Sequence, residues 1–148
     1  MSLSLYLDCC ALQRPFDDRS QLRVATEAEA LLQLIELIET GRLFLLASSA
    51  LEIEVAQMKA AVRQEFCQDV IKRFARFVEM NDATASRALE YGEEGIKTMD
   101  ALHLASAVEA HANYFCSCDD RFLLRARSVK TGLTKVVSLL ELTEQLVL

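Results

Sequence analysis

The chain has 148 residues, enough for one domain with a real hydrophobic core, and residues 1–148 are read as a single domain. Its apolar fraction is 52%, with one Pro and four Gly, so little of it suits linkers or low-complexity segments. A net charge of −6 argues against a broad basic surface for nucleic acid, and no apolar stretch reaches the roughly 18–20 residues of a membrane span.

Residues 3–8 are apolar enough for a buried strand that ends in an acid, Asp8. Residues 11–20 are polar, carry the only Pro and read as a loop. Ser20 is placed to cap a helix to about Thr40, with Leu31, Leu32, Leu34, Ile35 and Ile38 at helical spacing and Gly41 as its stop. Residues 43–47 are a continuous apolar run of strand length. Ser48 or Ser49 then caps a helix carrying Glu52 and Glu54. From about 60 to 80 the pattern is again helical, with Val62, Phe66, Val70, Phe74 and Phe77 on one side, and Asn81 and Asp82 end it. A shorter polar helix runs to Gly92 or Gly95. Thr98 caps another to about Ala112, apolar almost all round and so buried on more than one face. Residues 114–117 read as a strand, Asp119 onward as a loop or short helix, 135–138 as a last strand and 139–147 as a closing amphipathic helix. The alternation predicts an α/β fold with a small, mostly parallel sheet of four or five strands, and right-handed crossovers would put helices on both of its faces.

Asp8 and Asp119 end apolar strands, while Glu54 and Asp100 fall in the opening turns of predicted helices. Ligands of open α/β sheets bind outside the carboxyl ends of the strands, where the following helices begin, so these four acids can meet in one crevice. An oxygen-only cluster of carboxylates suits Mg²⁺ or Mn²⁺. Such ions can supply what phosphodiester hydrolysis needs: a nucleophilic water, a neutralised phosphate and a stabilised leaving oxygen. Each acid also has a plain structural explanation. Asp8 and Asp119 suit turns or caps, and Asp100 suits the positive end of a helix. Asp100, however, runs at once into Ala-Leu-His-Leu-Ala-Ser-Ala, and a carboxylate drawn toward a buried helix is costly unless paired or bound to metal. Glu52 and Glu54 point about 200° apart on a helix, so one faces the site and the other is solvated. Asp17 and Asp18 read as solvent-exposed.

Arg14, Arg121 and Arg125 are candidates for positioning a phosphate backbone, and the C-terminal third is locally basic. Five Cys without a secretion signal point to a reducing, cytoplasmic setting rather than a disulfide framework. A zinc site from Cys9, Cys10, Cys116 and Cys118 lacks the C-x-x-C spacing that supports one. His103 and His111 have no metal-ligand spacing and read as structural.

Taken in order, these segments resemble the PIN domain, the fold of many VapC-type toxin ribonucleases, over essentially the whole length. Tyr6-Leu7-Asp8-Cys9-Cys10 is similar to that family's opening strand and first acid, and the run from Cys9 to Asp18 is similar to a subgroup with Cys-Cys followed by Arg-Pro-Phe-Asp-Asp. Asp100-Ala101-Leu102-His103-Leu104-Ala105-Ser106-Ala107 resembles the family's Asp-Ala-Leu-His-Ile-Ala-Ser-Ala helix. Ser117-Cys118-Asp119-Asp120-Arg121-Phe122 resembles its Thr-x-Asp-x-x-Phe segment. The spacing from Ser48 to Glu54 is similar to the step from strand end to second acid, which marks Glu54 rather than Glu52. The resemblance implies an acidic pocket of Asp8, Glu54, Asp100 and Asp119 binding Mg²⁺ or Mn²⁺, single-stranded RNA as substrate, a homodimer and a cognate antitoxin. One departure is Cys9, which stands where many members carry Thr or Ser; Ser117 can supply a hydroxyl in its place. A catalytically inactive, partner-binding relative is the alternative. A nucleotide-binding α/β domain ranks below both, because G-x-G-x-x-G and Gly-Lys-Ser are missing.

Overall fold

The computed structural model describes residues 3–146. The chain runs β1 (Leu3–Leu7), α1 (Cys9–Gln13), a 3-10 turn (Arg14–Phe16), α2 (Leu22–Glu39), β2 (Leu43–Ala47), α3 (Ser49–Ala56), α4 (Ala61–Phe74) and β3 (Ala75–Phe77). It continues through α5 (Asp82–Glu93), α6 (Thr98–Glu109), β4 (Tyr114–Cys116), α7 (Asp120–Ala126), β5 (Lys135–Val137) and α8 (Leu139–Gln145). The five strands form one sheet in the order β3-β2-β1-β4-β5, and every pairing is parallel. Successive strand residues point to opposite faces. Leu5, Tyr6 and Leu7 are all fully buried, and the consecutive Tyr114, Phe115 and Cys116 are buried too. Both faces are therefore covered, as an all-parallel sheet requires.

This is the expected α/β architecture, with differences that bear on the site. Of residues 11–20, expected as a loop, 11–16 are taken up by α1 and the 3-10 turn, and only 17–20 are loop. Asp8 caps α1, and Cys9, Ala11 and Leu12 are buried beneath it. Ser20 does not cap α2; its N–H goes to Asp18 Oδ1 at 3.0 Å, and the N-cap, Gln21, makes no side-chain cap bond. The helix expected over 60–80 stops at Phe74, because Ala75–Phe77 leaves it to form β3 at the sheet edge beside β2. Helix α6 does bury more than one face, with Ala101, His103, Leu104, Ala105, Ser106, Ala107 and Val108 all inside. The closing helix is α8, and Val147, its expected end, lies outside the described residues.

The sheet order creates the crevice. β2 lies on one side of β1 and β4 on the other, so the connections leaving the ends of β1 and β4 diverge. Such a switch point opens a cleft at the carboxyl edge of the sheet. Asp8 follows β1 and Asp119 follows β4, which puts both at that cleft.

Candidate active site

The strand-end acids are held by helix caps. Asp8 Oδ1 accepts the Ala11 N–H at 3.0 Å, and the Asp8 N–H donates to the Cys116 carbonyl at 3.2 Å, tying the end of β1 to β4. Asp119 caps α7, its Oδ1 accepting from the N–H groups of Arg121 at 3.0 Å and Phe122 at 3.3 Å. Its own N–H donates to Ser117 Oγ at 3.1 Å, and the Ser117 hydroxyl also hydrogen-bonds the Asp8 carboxylate. One buried hydroxyl thus links the two acids. Asp100 lies half-buried in the first turn of α6. Glu54 lies one turn deeper in α3 than the opening-turn position expected for it, and Glu52 takes that first-turn place. Glu52 is exposed and lines a groove with Val55, Ile71, Lys72 and Phe77, whereas Glu54 faces inward.

Cys10 reports on the convergence of the four. Cys10 is exposed, and its thiol is pushed up to about 12, first by desolvation from the crowded atoms around it and then by the charges of Asp8, Asp119, Asp100 and Glu54. The charges of all four acids therefore reach one side chain. Burial raises Asp8 to about 6 against the relief of its bonds to Ser117 and Ala11, and the Asp100 charge raises it further. Asp100 is also raised, by burial first and, in smaller measure, by Asp119 and Glu54, with His103 and Lys97 opposing. Glu54 is lowered, chiefly by its bond from His103 and also by a bond from the Cys9 thiol, against burial.

His103, read from sequence as structural, belongs to this group. Its Nε2 lies 3.0 Å from Glu54 Oε1 and its Nδ1 lies 2.7 Å from the Tyr6 hydroxyl, which lies 2.7 Å from Ser48 Oγ. All three supporting side chains are buried. The signal was available, since residues three apart on a helix share a face and His103 follows Asp100 by three.

A cavity of about 140 Å³ opens on Asp100 and Asp119 and is walled by Gly95, Ile96, Lys97, Arg121, Phe122 and Arg125. Gly95 has φ +93°, and a Cβ there would collide with the Arg125 guanidinium, so the missing side chain gives that arginine its seat. Among the described residues, Lys97, Arg121 and Arg125 make no ion pair within 4 Å. Arg14, expected beside them, is instead committed to Glu27 at 2.7 Å and Asp17 at 3.1 Å. It lines a second cleft of about 380 Å³ on the other side of Asp119, with Cys10, Gln13, Asp17, Arg63 and Cys118. A mainly apolar groove of about 530 Å³ between α5 and α6 is lined by none of the four acids.

The donor set fits a hard divalent cation: four carboxylates, two of them raised by burial and mutual repulsion that a cation would relieve. Among the described residues, no three His, Cys, Asp or Glu side chains already converge closely enough to hold an ion alone. All five cysteines are free, and none belongs to such a group.

Comparison with curated proteins finds no match. Among solved structures, the chain is similar to the crystal structure of VapBC2 from Rickettsia felis bound to a DNA fragment from their promoter. The match covers 90% of this chain and 98% of that one, with a TM-score of 0.62 and 12% identity, a likeness of fold. A family model described as PIN domain matches residues 6–128, from the strand that delivers Asp8 to the turn beyond α7. With the parallel sheet and the acids at its switch point, that match makes the chain a member of the PIN domain family.

Proposed function

We propose that this protein is a divalent-metal-dependent endoribonuclease that cleaves single-stranded RNA, the toxin of a toxin–antitoxin pair, working as a cytoplasmic homodimer. The observation that supports the reading is that Asp8 and Asp119 follow paired strands at the carboxyl edge of the sheet and that Asp119 shares a cavity with Asp100. PIN membership and the structural likeness to a VapBC complex support it. No helix among the described residues is long and apolar enough to cross a membrane.

In this reading Asp8, Asp100 and Asp119 hold Mg²⁺ or Mn²⁺ directly or through water, and Glu54 is a further ligand or orients the attacking water. A bound ion would acidify a water and neutralise the phosphate. Lys97, Arg121 and Arg125, unpaired beside the acids, hold the phosphodiester in the small cavity. Ser117 keeps Asp8 and Asp119 in register.

The test is cleavage of a mixed single-stranded RNA pool with Mn²⁺ or Mg²⁺, run beside Asp100→Asn. Metal-dependent cleavage that the variant loses, with its fold intact, is the expected result. Full activity in Asp100→Asn sinks the assignment. A partner-binding module without activity is the second reading. In its favour, Cys9 stands directly after Asp8 and its thiol bonds Glu54. Mn²⁺ binding without cleavage of any RNA would select it.

A further inference from the structure

We infer that His103 is the positioning residue of Glu54, locked as its Nε2–H tautomer by a buried hydroxyl chain through Tyr6 and Ser48. The consequence for metal affinity rests on the reading of Glu54 as part of a cation site; the tautomer itself does not.

Counting protons fixes the direction of the chain. Ser48 caps α3, its Oγ accepting the Leu51 N–H at 3.3 Å, which leaves its O–H free to donate. The Tyr6 oxygen lies 2.7 Å from both Ser48 Oγ and His103 Nδ1, and it owns one proton. At the far end, Glu54 Oε1 is 3.0 Å from His103 Nε2, and an ionised carboxylate only accepts. Nε2 must therefore carry a proton. In a neutral ring Nδ1 is then the acceptor, so Tyr6 donates to it and Ser48 donates to Tyr6. Every proton in the chain points toward Glu54. The reverse order at Tyr6 needs a second proton on the ring.

The surroundings hold this arrangement still. Tyr6 stacks on Phe115 with centroids 5.5 Å apart, and its ring meets His103 at 5.8 Å. Tyr6, Ser48 and His103 come from β1, the end of β2 and α6, so the chain spans elements far apart in sequence. Glu54 itself is a third exposed on a helix surface and would sample several rotamers without the donated N–H. The Cys9 thiol adds a second donation to the same carboxylate. Groups that orient a metal-binding carboxylate typically change metal affinity by about 10–100-fold when removed.

The full chain, labelled with ¹⁵N-histidine and kept in chelator, gives the direct readout by long-range ¹⁵N–¹H correlation. There are two histidines, and His103→Gln assigns them. The expected wild-type spectrum has a bare Nδ1 and a protonated Nε2 at His103. Tyr6→Phe keeps the ring and its stacking but removes the proton given to Nδ1. It is expected to mix the tautomers and to weaken Mn²⁺ binding about 10-fold or more. Placed on Glu54→Gln, it should cost nothing further, because its effect passes through Glu54. His103→Gln, whose amide can still donate, should keep more affinity than His103→Leu. An Nδ1–H or doubly protonated ring in the wild type would overturn the inference. Unchanged Mn²⁺ affinity in both Tyr6→Phe and His103→Leu would overturn it too. If the wild type binds no Mn²⁺, the nuclease reading falls alone, and the tautomer in metal-free Tyr6→Phe still decides the role of the chain.

Discussion

Asp8 carries a cost that the protein accepts at one position. It is almost wholly buried, and its folded-state pKa is raised from 3.8 to about 6. Below about pH 4 the group is protonated in folded and unfolded chains alike, and nothing is lost. As pH rises through about 6 the folded protein must keep a buried carboxylate, so stability falls, by on the order of 3 kcal/mol. Asp8→Asn should therefore raise the Tm of the metal-free protein by several degrees near pH 7.5 and leave it unchanged near pH 4. Thermal melts in chelator at the two pH values check this, and equal shifts at both would remove burial as the cause. Asp8 and Asp119 were legible because a polar residue ending an apolar strand stands out. The ion pairing of Arg14 was not legible, because its partner Glu27 lies on the next helix, fully buried, where no local pattern announces an ion pair. The role of His103 stayed hidden for a similar reason: Tyr6 and Glu54, its partners, come from two other elements.

Elements whose signals are local were readable, and those decided by tertiary pairing were not. The β2 strand and the α6 helix stand out by apolar run and period. By contrast, β3 is three residues whose side chains are half or fully exposed, and Phe77 continues the helical stripe of Phe66, Val70 and Phe74. Pairing with Leu45, Leu46 and Ala47, rather than propensity, makes it a strand. Two caps give predictions at this scale. Asn81 caps α5 through a reciprocal box with the buried Thr84, so Asn81→Ala should cost about 1 kcal/mol in urea denaturation. His111 ends α6 at φ 56°, with Ala112 N–H closing onto Ala107 O at 2.9 Å, a position that favours glycine. His111→Gly should stabilise by up to about 1 kcal/mol; a loss would mean that the imidazole holds a contact worth more than the backbone strain.

For the whole molecule, the charge distribution matters more than the net value of −6. Unpaired cations sit at one wall of the acidic cavity, while most other arginines are spent on ion pairs or on aromatic rings such as Phe44. The RNA binding proposed above should therefore weaken with salt despite the acidic total. Arg125→Ala should reduce the slope of log K against log salt by about 0.7–1, measured by fluorescence anisotropy with a non-cleaving variant. Mn²⁺ at about 100 times its Kd should stabilise the fold by about 2.7 kcal/mol, a gain that Asp100→Asn removes. The order of the sheet carries a further consequence. β1 is made first, but its neighbour β4 arrives late, and the Ser4 N–H that reaches the Asn113 side chain at 2.8 Å does so across 109 residues. Asp119 cannot join Asp8 until β4 has been made and paired with β1. In the proposed reading the four acids are complete only once β4 has paired with β1, so a chain that stops short of Asp119 has no site to cut with.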